Sequence, residues 1–207
     1  MIYASWNIRG VQADGRETTI VDTFNKHKPN IIGFQETKKE TISNSYLKIL
    51  VSSRFFEWRS LPANGSVGGI LMGVDLDMFD IISWDIKVFS ISVIVRHKAL
   101  NTDLRFINVY GSSYEDQKYF FISELHSLFV DYSGHTIIGG DFNLVRFQED
   151  KSNGLIYHRW SDKFNAWIDI WGLLEVKLSC RNFTWGNNQD NLIMYTFDKF
   201  FCNPELV

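Results

Sequence analysis

Three short apolar stretches of this chain, at residues 1–6, 31–34 and 136–140, each run straight into polar residues. They are too short for buried helices, so each predicts a buried strand that ends at a polar rim. After the first, Ile20, Val21, Phe24 and His27 recur at helical spacing over residues 16–28 and Pro29 stops the pattern, which predicts a strand, a helix and a strand. Short strands are expected over residues 55–59, 67–74, 79–84 and 88–96. The last alternates, with Phe89, Ile91, Val93 and Val95 on one face and Ser90 and Ser92 on the other. Residues 104–110 follow across an Asn101-Thr102-Asp103 turn, as in a hairpin. Ser113-Tyr-Glu-Asp116 reads as a capping-box-like helix start, and Phe120, Phe121, Leu125, Leu128 and Phe129 then form an apolar stripe. A second such helix is expected over residues 159–171, with Gly172 as its stop. Antiparallel hairpins mixed with strand-helix units predict an α+β layered fold.

Composition sharpens this picture. At 207 residues and 45% hydrophobic, with no linker-like segment, the chain is expected to be one domain, 1–207, with a sizeable core. Most of the seven Trp and seventeen Phe side chains are assigned to that core, where their large area gains most. The formal net charge of -3 gives no overall attraction to a polyanion, so affinity for nucleic acid has to come from a local basic face. Candidates are Lys38, Lys39, Lys118, Arg146, Lys151, Arg159 and Arg181, each of which also reads as a solvated surface charge. Two cysteines, Cys180 and Cys202, suggest neither a disulfide framework nor a zinc site. With no membrane-length apolar run and no signal-like start, a soluble, intracellular, monomeric protein is expected.

The polar residues at the strand ends carry the candidate chemistry. Asn7, Glu36, Asp141 and Asn143 are hard oxygen ligands, of the kind that hold Mg²⁺ against a phosphate. Asp141 and Asn143 stand at i and i+2 of an extended segment and so project to one side, while Phe142 points the other way. Each phrase alone has an ordinary reading. Gly-Gly-Asp-x-Asn is normal Asx-turn chemistry, and Gln-Glu-Thr-Lys is a normal solvated helix start.

Together and in order, Ser5-Trp-Asn-Ile-Arg-Gly10, Gly33-Phe-Gln-Glu-Thr-Lys38, Asn108-Val-Tyr-Gly111, Gly139-Gly-Asp-Phe-Asn143 and Phe183-Thr-Trp-Gly-Asn-Asn188 followed by Asp198 resemble the endonuclease/exonuclease/phosphatase superfamily. The wording is most similar to the apurinic-endonuclease-like domain of plant LINE-type, non-LTR retrotransposon polyproteins. The resemblance implies a four-layer α/β/β/α sandwich of the DNase I type, with the active site at one edge of the packed sheets. It implies Glu36 as principal metal ligand assisted by Asn7, with Mg²⁺ as the cofactor and Mn²⁺ able to substitute. It further implies Asp141 orienting or deprotonating the attacking water, Asn143 donating to the scissile phosphate, Tyr110 contacting that phosphate, and DNA as the partner. Trp185 reads either as a ring for the substrate or as core, and Arg146 as a substrate contact.

The sequence departs from the family pattern at three places. Thr196 stands where the family carries an arginine two residues before the aspartate matching Asp198. Ser112-Ser113 replaces a Pro-Asn or Pro-Thr pair. The family's closing Ser-Asp-His strand, whose histidine is oriented by that aspartate, has no counterpart in 207 residues. The expectation is therefore a DNA-nicking endonuclease domain without its final strand, impaired, and nuclear if active. The competing readings are a catalytically dead remnant of the same fold and a phosphatase on the same scaffold.

Overall fold

The computed structural model describes residues 1–10, 15–52, 54–63, 68–179, 182–187 and 189–206. Cys180, Arg181 and Asn188, like residue 67 at the start of one expected strand, lie outside the described residues. The chain opens as the spacing predicts, with β1 (Tyr3–Asn7), α1 (Arg16–His27) and β2 (Ile31–Gln35), the two strands parallel and Asn7 level with Gln35. After α2 (Asn44–Leu50), β3 (Phe56–Leu61) and β4 (Ile70–Asp75) complete a sheet in the order β1-β2-β4-β3.

A second sheet follows from the hairpins. β5 (Phe79–Ile86), β6 (Ser90–His97) and β7 (Thr102–Tyr110) meander antiparallel, and α3 (Lys118–Val130) returns the chain to β8 (Thr136–Asp141), parallel to β7. α4 (His158–Ile170) then leads to β9 (Leu174–Val176), and β12 (Asp198–Cys202) inserts between β8 and β9. The order is β5-β6-β7-β8-β12-β9, with a two-stranded ribbon of β10 (Trp185–Gly186) and β11 (Met194–Tyr195) beside it.

Three apolar layers separate these elements. Ile20, Phe24, Ile32, Phe34, Leu47 and Leu50 pack α1 and α2 on the first sheet. Ile31, Met72 and Val74 meet Phe79, Ile91, Val93 and Phe106 between the sheets. Phe121, Leu125, Phe142, Phe164, Trp167 and Phe201 fill the space between the second sheet and α3 and α4. The fold is thus α+β, with two central sheets flanked by helices, and β2 is buried on both faces because it lies between two of these layers. No described helix is long and apolar enough to cross a membrane.

One polar clasp crosses the space between the sheets. Asn108 of β7 donates through Nδ2 to the carbonyls of Phe34 (3.2 Å) and Leu71 (3.3 Å), and its Oδ1 accepts from Gln35 Nε2. Gly33 makes the approach possible, since a Cβ there would lie 2.6 Å from the Asn108 side chain. The clasp fixes the end of β2 against β7, and so fixes Glu36 relative to Tyr110.

Several expectations are corrected. α3 begins at Lys118, not near Ser113, because Ser112 takes the local hydrogen bonds: its Oγ accepts from Tyr114 N (3.1 Å) and lies 2.9 Å from Gln117 Oε1. The stripe on α3 runs through Phe121, Leu125 and Leu128, which turns Phe120 into solvent at 65% exposure. Phe89 precedes β6 and packs on Phe121, away from Ile91 and Val93. Ser90 and Ser92 are buried as well: Glu124 of α3 accepts from Ser90 Oγ, and Ser92 Oγ accepts from Arg105.

Candidate active site

The rim forms where three chain segments leave their strands under strain. Of the seven described non-glycine residues with positive φ, Arg9, Glu36, Lys38 and Asn143 fall here, and left-handed backbone outside glycine concentrates at functional sites. Beyond β1, Arg9 N donates to Asn7 Oδ1 (3.2 Å), an Asx turn that aims the Asn7 amide sideways. Glu36 is tied down through its backbone, its carbonyl accepting from Gly10 N at 2.7 Å. The next residues bond across to the start of β4, with Thr37 N donating to Gly69 O (3.2 Å) and Lys38 N to Gly68 O (3.1 Å). Gly69 has φ +88, and a Cβ on it would come within 2.2 Å of Thr37 Oγ1.

From the second sheet, β8 delivers Asp141, and Phe142 turns inward among Phe121, Phe164 and Phe201 as its alternation predicts. Asp141 is 3% exposed; its Oδ2 accepts from Asn7 Nδ2 at 2.7 Å and its Oδ1 from Asn143 N at 3.0 Å. The first of these bonds spans the two sheets. Asn143 Nδ2 donates to Gly111 O (2.8 Å), holding the loop after Tyr110 against the loop after Asp141. Asp198 stands directly across the ladder from Asp141, its amide donating to Thr184 Oγ1 (3.1 Å).

Electrostatics binds these groups into one site. Burial, followed by the charge of Asp198, pushes the Asp141 carboxyl up to about 7 against the opposing hydrogen bonds from Asn7 and Asn143, and Glu36 adds a smaller upward push. Burial, then the charges of Glu36 and Asp141, hold the Tyr110 phenol well above its usual range, so Tyr110 stays protonated and is a donor. Glu36 accepts a salt bridge from Lys38 Nζ at 2.8 Å.

This donor set fits a divalent cation. A carboxylate whose proton affinity is raised by burial and by neighbouring carboxylates, as at Asp141, is relieved by a positive ion, and Lys38 already places a cationic group on Glu36. No described cluster of three or more His, Cys, Asp and Glu side chains can hold a metal by itself. Glu36 and Asn7 would therefore hold the ion with water and substrate oxygens completing its shell, a sparse protein contribution typical of Mg²⁺.

Asn7, Glu36, Tyr110, Asp141, Asn143 and Asp198 are thus brought together. Trp185 lies beside them, its ring against Tyr195 and Phe197 and under the Arg9 guanidinium at 5.4 Å. It lines a cavity that also reaches Asn143, so it is both packed and accessible. Arg146 is placed differently from expectation. Its guanidinium donates to Glu175 Oε2 (2.6 Å) and Asn165 Oδ1 (2.8 Å) and lies over Phe201, which makes it an anchor of the loop after β8. Lys118 and Lys151 line the cavity, while Arg159 lies over the Trp160 ring. Arg9 and Thr184 were missed by sequence reasoning, though both lie inside the motif phrases; their parts depend on a backbone turn and a hydroxyl position that spacing does not reveal.

Residues 4–161 match the endonuclease/exonuclease/phosphatase family. The chain belongs to that family. No curated protein matches it. Among solved structures, it is similar to a 3'-5' exonuclease, NExo, from Neisseria meningitidis (TM-score 0.75, 15% identity, 97% of this chain and 86% of that one). It is also similar to the endonuclease domain of TRAS1, a telomere-specific non-LTR retrotransposon (TM-score 0.70, 14% identity, 97% and 84%). A third likeness is to an AP endonuclease from Archaeoglobus fulgidus (TM-score 0.71, 12% identity, 100% and 88%). At these identities the likeness establishes the shared fold, which is the DNase I-like sandwich.

Proposed function

We propose that this protein is a Mg²⁺-dependent phosphodiester hydrolase that nicks DNA, of the LINE retrotransposon type, with Mn²⁺ able to replace Mg²⁺. The observation that carries the reading is the bond from Asn7 Nδ2 to Asp141 Oδ2, which joins the two sheets at the one place where Glu36, Tyr110, Asn143 and Asp198 also meet. Family membership supports hydrolysis of phosphoesters, and the likeness to a retrotransposon endonuclease domain supports DNA as substrate; action in the nucleus is proposed with that reading. A divalent ion held by Glu36 and Asn7 would supply neutralisation of the phosphate charge and a more acidic water.

The chain's own residues do the rest. Asp141, with a proton affinity matched to neutral pH, is suited to take a proton from the attacking water. Tyr110, kept protonated, and the Asn143 amide donate to phosphate oxygens as negative charge develops there. Burial, with the charge of Asp198 second, keeps the Asp141 carboxyl at about 7. The histidines stand elsewhere: His27 ends α1, His97 packs on Phe79, His126 accepts from Trp171, His135 precedes β8, and His158 opens α4. Turnover is accordingly proposed to be slow, since a positioned acid-base group contributes about 10²–10⁴-fold.

Relaxation of supercoiled plasmid tests this reading. Nicking is expected with Mg²⁺, absent in EDTA, and reduced by about 10²–10⁴-fold in Asp141→Asn. Nicking that is unaffected by EDTA, or equal in the variant, contradicts it.

A further inference from the structure

Arg9 is kept at the rim at a backbone cost that the proposed chemistry leaves unexplained. It holds a left-handed φ of 48, which glycine would adopt without strain, yet glycine comes only at the next position. The backbone is fixed on both sides, since Arg9 N donates to Asn7 Oδ1 (3.2 Å) and Gly10 N to Glu36 O (2.7 Å). The half-buried side chain then crosses from the end of β1 to the two-stranded ribbon, where its guanidinium lies 5.4 Å from the centre of the Trp185 ring. Among the described residues that guanidinium makes no hydrogen bond and no ion pair. Lys38 and Lys118, by contrast, face Glu36 (2.8 Å) and Glu115 (3.5 Å).

A ring under the face of a guanidinium fixes its plane without using any N–H group, so the edge stays able to donate a parallel pair of bonds to one phosphate. The group stands beside the rim and not on it, because Asn7 turns its amide to Asp141 whereas Arg9 turns to the ribbon. We infer that Arg9 grips the backbone phosphate next to the one held by Tyr110 and Asn143, on the side where the strand runs past Trp185. The inference rests on the proposed phosphodiester chemistry and adds a requirement on the substrate: a strand that continues past the scissile linkage with at least one more phosphate. Such a contact carries no sequence information and strengthens binding to every sequence alike. It also answers a local need, since Glu36, Asp141 and Asp198 repel a polyanion when no metal is bound and a fixed cation beside them offsets that repulsion.

Fluorescence anisotropy of labelled oligothymidylate and oligodeoxyadenylate, bound to the full chain in EDTA where no hydrolysis occurs, is followed against salt concentration. Losing one phosphate contact to a single strand flattens the slope of log K against log salt by about 0.7. Arg9→Gln should show that change and weaken both oligonucleotides equally, by about 3- to 10-fold at about 50 mM salt. Arg9→Lys keeps the charge, and therefore the slope, but loses the planar fork and should bind at least about two-fold more weakly than the wild type. Should Arg9→Gln fail to fold, Arg9→Lys carries the test. An unchanged slope in Arg9→Gln, unequal weakening of the two sequences, or wild-type affinity in Arg9→Lys overturns the inference. With Mg²⁺, a trithymidylate should be cleaved at a higher kcat/KM than thymidylyl-thymidine, and Arg9→Gln should remove that difference while leaving the dinucleotide as it was; equal slowing of both would put Arg9 on the scissile phosphate and overturn its placement. Mg²⁺-dependent cleavage with an unchanged slope defeats the Arg9 assignment alone, whereas a flattened slope without any cleavage defeats the hydrolase reading alone.

Discussion

Asp141 is held in conflict by its surroundings. Its folded pKa, pushed up to about 7 from an ordinary 3.8, means that between these values the folded chain holds a proton that the unfolded chain releases. Stability from this group is therefore present at acid pH and lost as pH rises through about 7. Asp141→Asn cannot ionise, so in EDTA its melting temperature should gain on that of the wild type between about pH 5 and pH 8, and added Mg²⁺ should narrow the gap by favouring the ionised carboxylate. Thermal melts across that range check the sign, and a wild type that gains on the variant with rising pH contradicts it. Gly69 is constrained differently, since φ +88 and the 2.2 Å approach of any added Cβ to Thr37 Oγ1 leave room for glycine but not for a side chain. Gly69→Ala should cost at least about 1–3 kcal/mol in urea unfolding and displace the segment that carries Glu36. The identity of the rim residues was legible in the sequence, because a buried strand that ends in Asn, Glu or Asp sets that polar group where the apolar core stops. Their left-handed backbones were not, since Glu36 and Lys38 are residue types that seldom adopt such conformations.

Among the elements, legibility followed length. The strand-helix-strand start and the hairpins carry periodicity over five or more residues, whereas β10 and β11 are two residues each and too short to show any. α2 went unread for a similar reason, having seven residues and only Leu47 and Leu50 buried. The start of α3 was misread because a serine-rich turn imitates a cap. β12 shows what spacing alone omits: Lys199, 3% exposed, bridges Asp150 (3.0 Å) and Glu175 (3.2 Å), and Glu175 in turn holds Arg146. This network pins the loop after Asp141 to the strand that carries Asp198. Lys199→Met leaves two largely buried carboxylates short of a cation, so a loss of about 3 kcal/mol, roughly 6–12 °C in melting temperature, is expected by calorimetry. An unchanged melting temperature would reduce the network to a surface feature.

For the molecule as a whole, two sheets are clasped at Gln35–Asn108 and again at Asn7–Asp141, so the site is a product of sheet packing and belongs to neither sheet alone. The layered class could be read from strand and helix order, but this cross-sheet pairing joins residues 134 apart in the chain and only the packing reveals it. With an overall charge of -3, Arg9, Lys38, Lys118 and Lys151 are the cations placed at the rim and its cavity. Duplex DNA binding in EDTA should therefore be weak, with log K falling against log salt concentration at a slope of about -4, measured by fluorescence anisotropy. A slope twice as steep would require a basic face outside the rim. The central claim is that the rim holds a divalent cation through Glu36. Electron paramagnetic resonance titration with Mn²⁺ tests it most directly: the wild type should show a bound fraction that Mg²⁺ displaces, and Glu36→Ala should lose it while keeping its fold by circular dichroism. Equal Mn²⁺ affinity in the two proteins would contradict the claim.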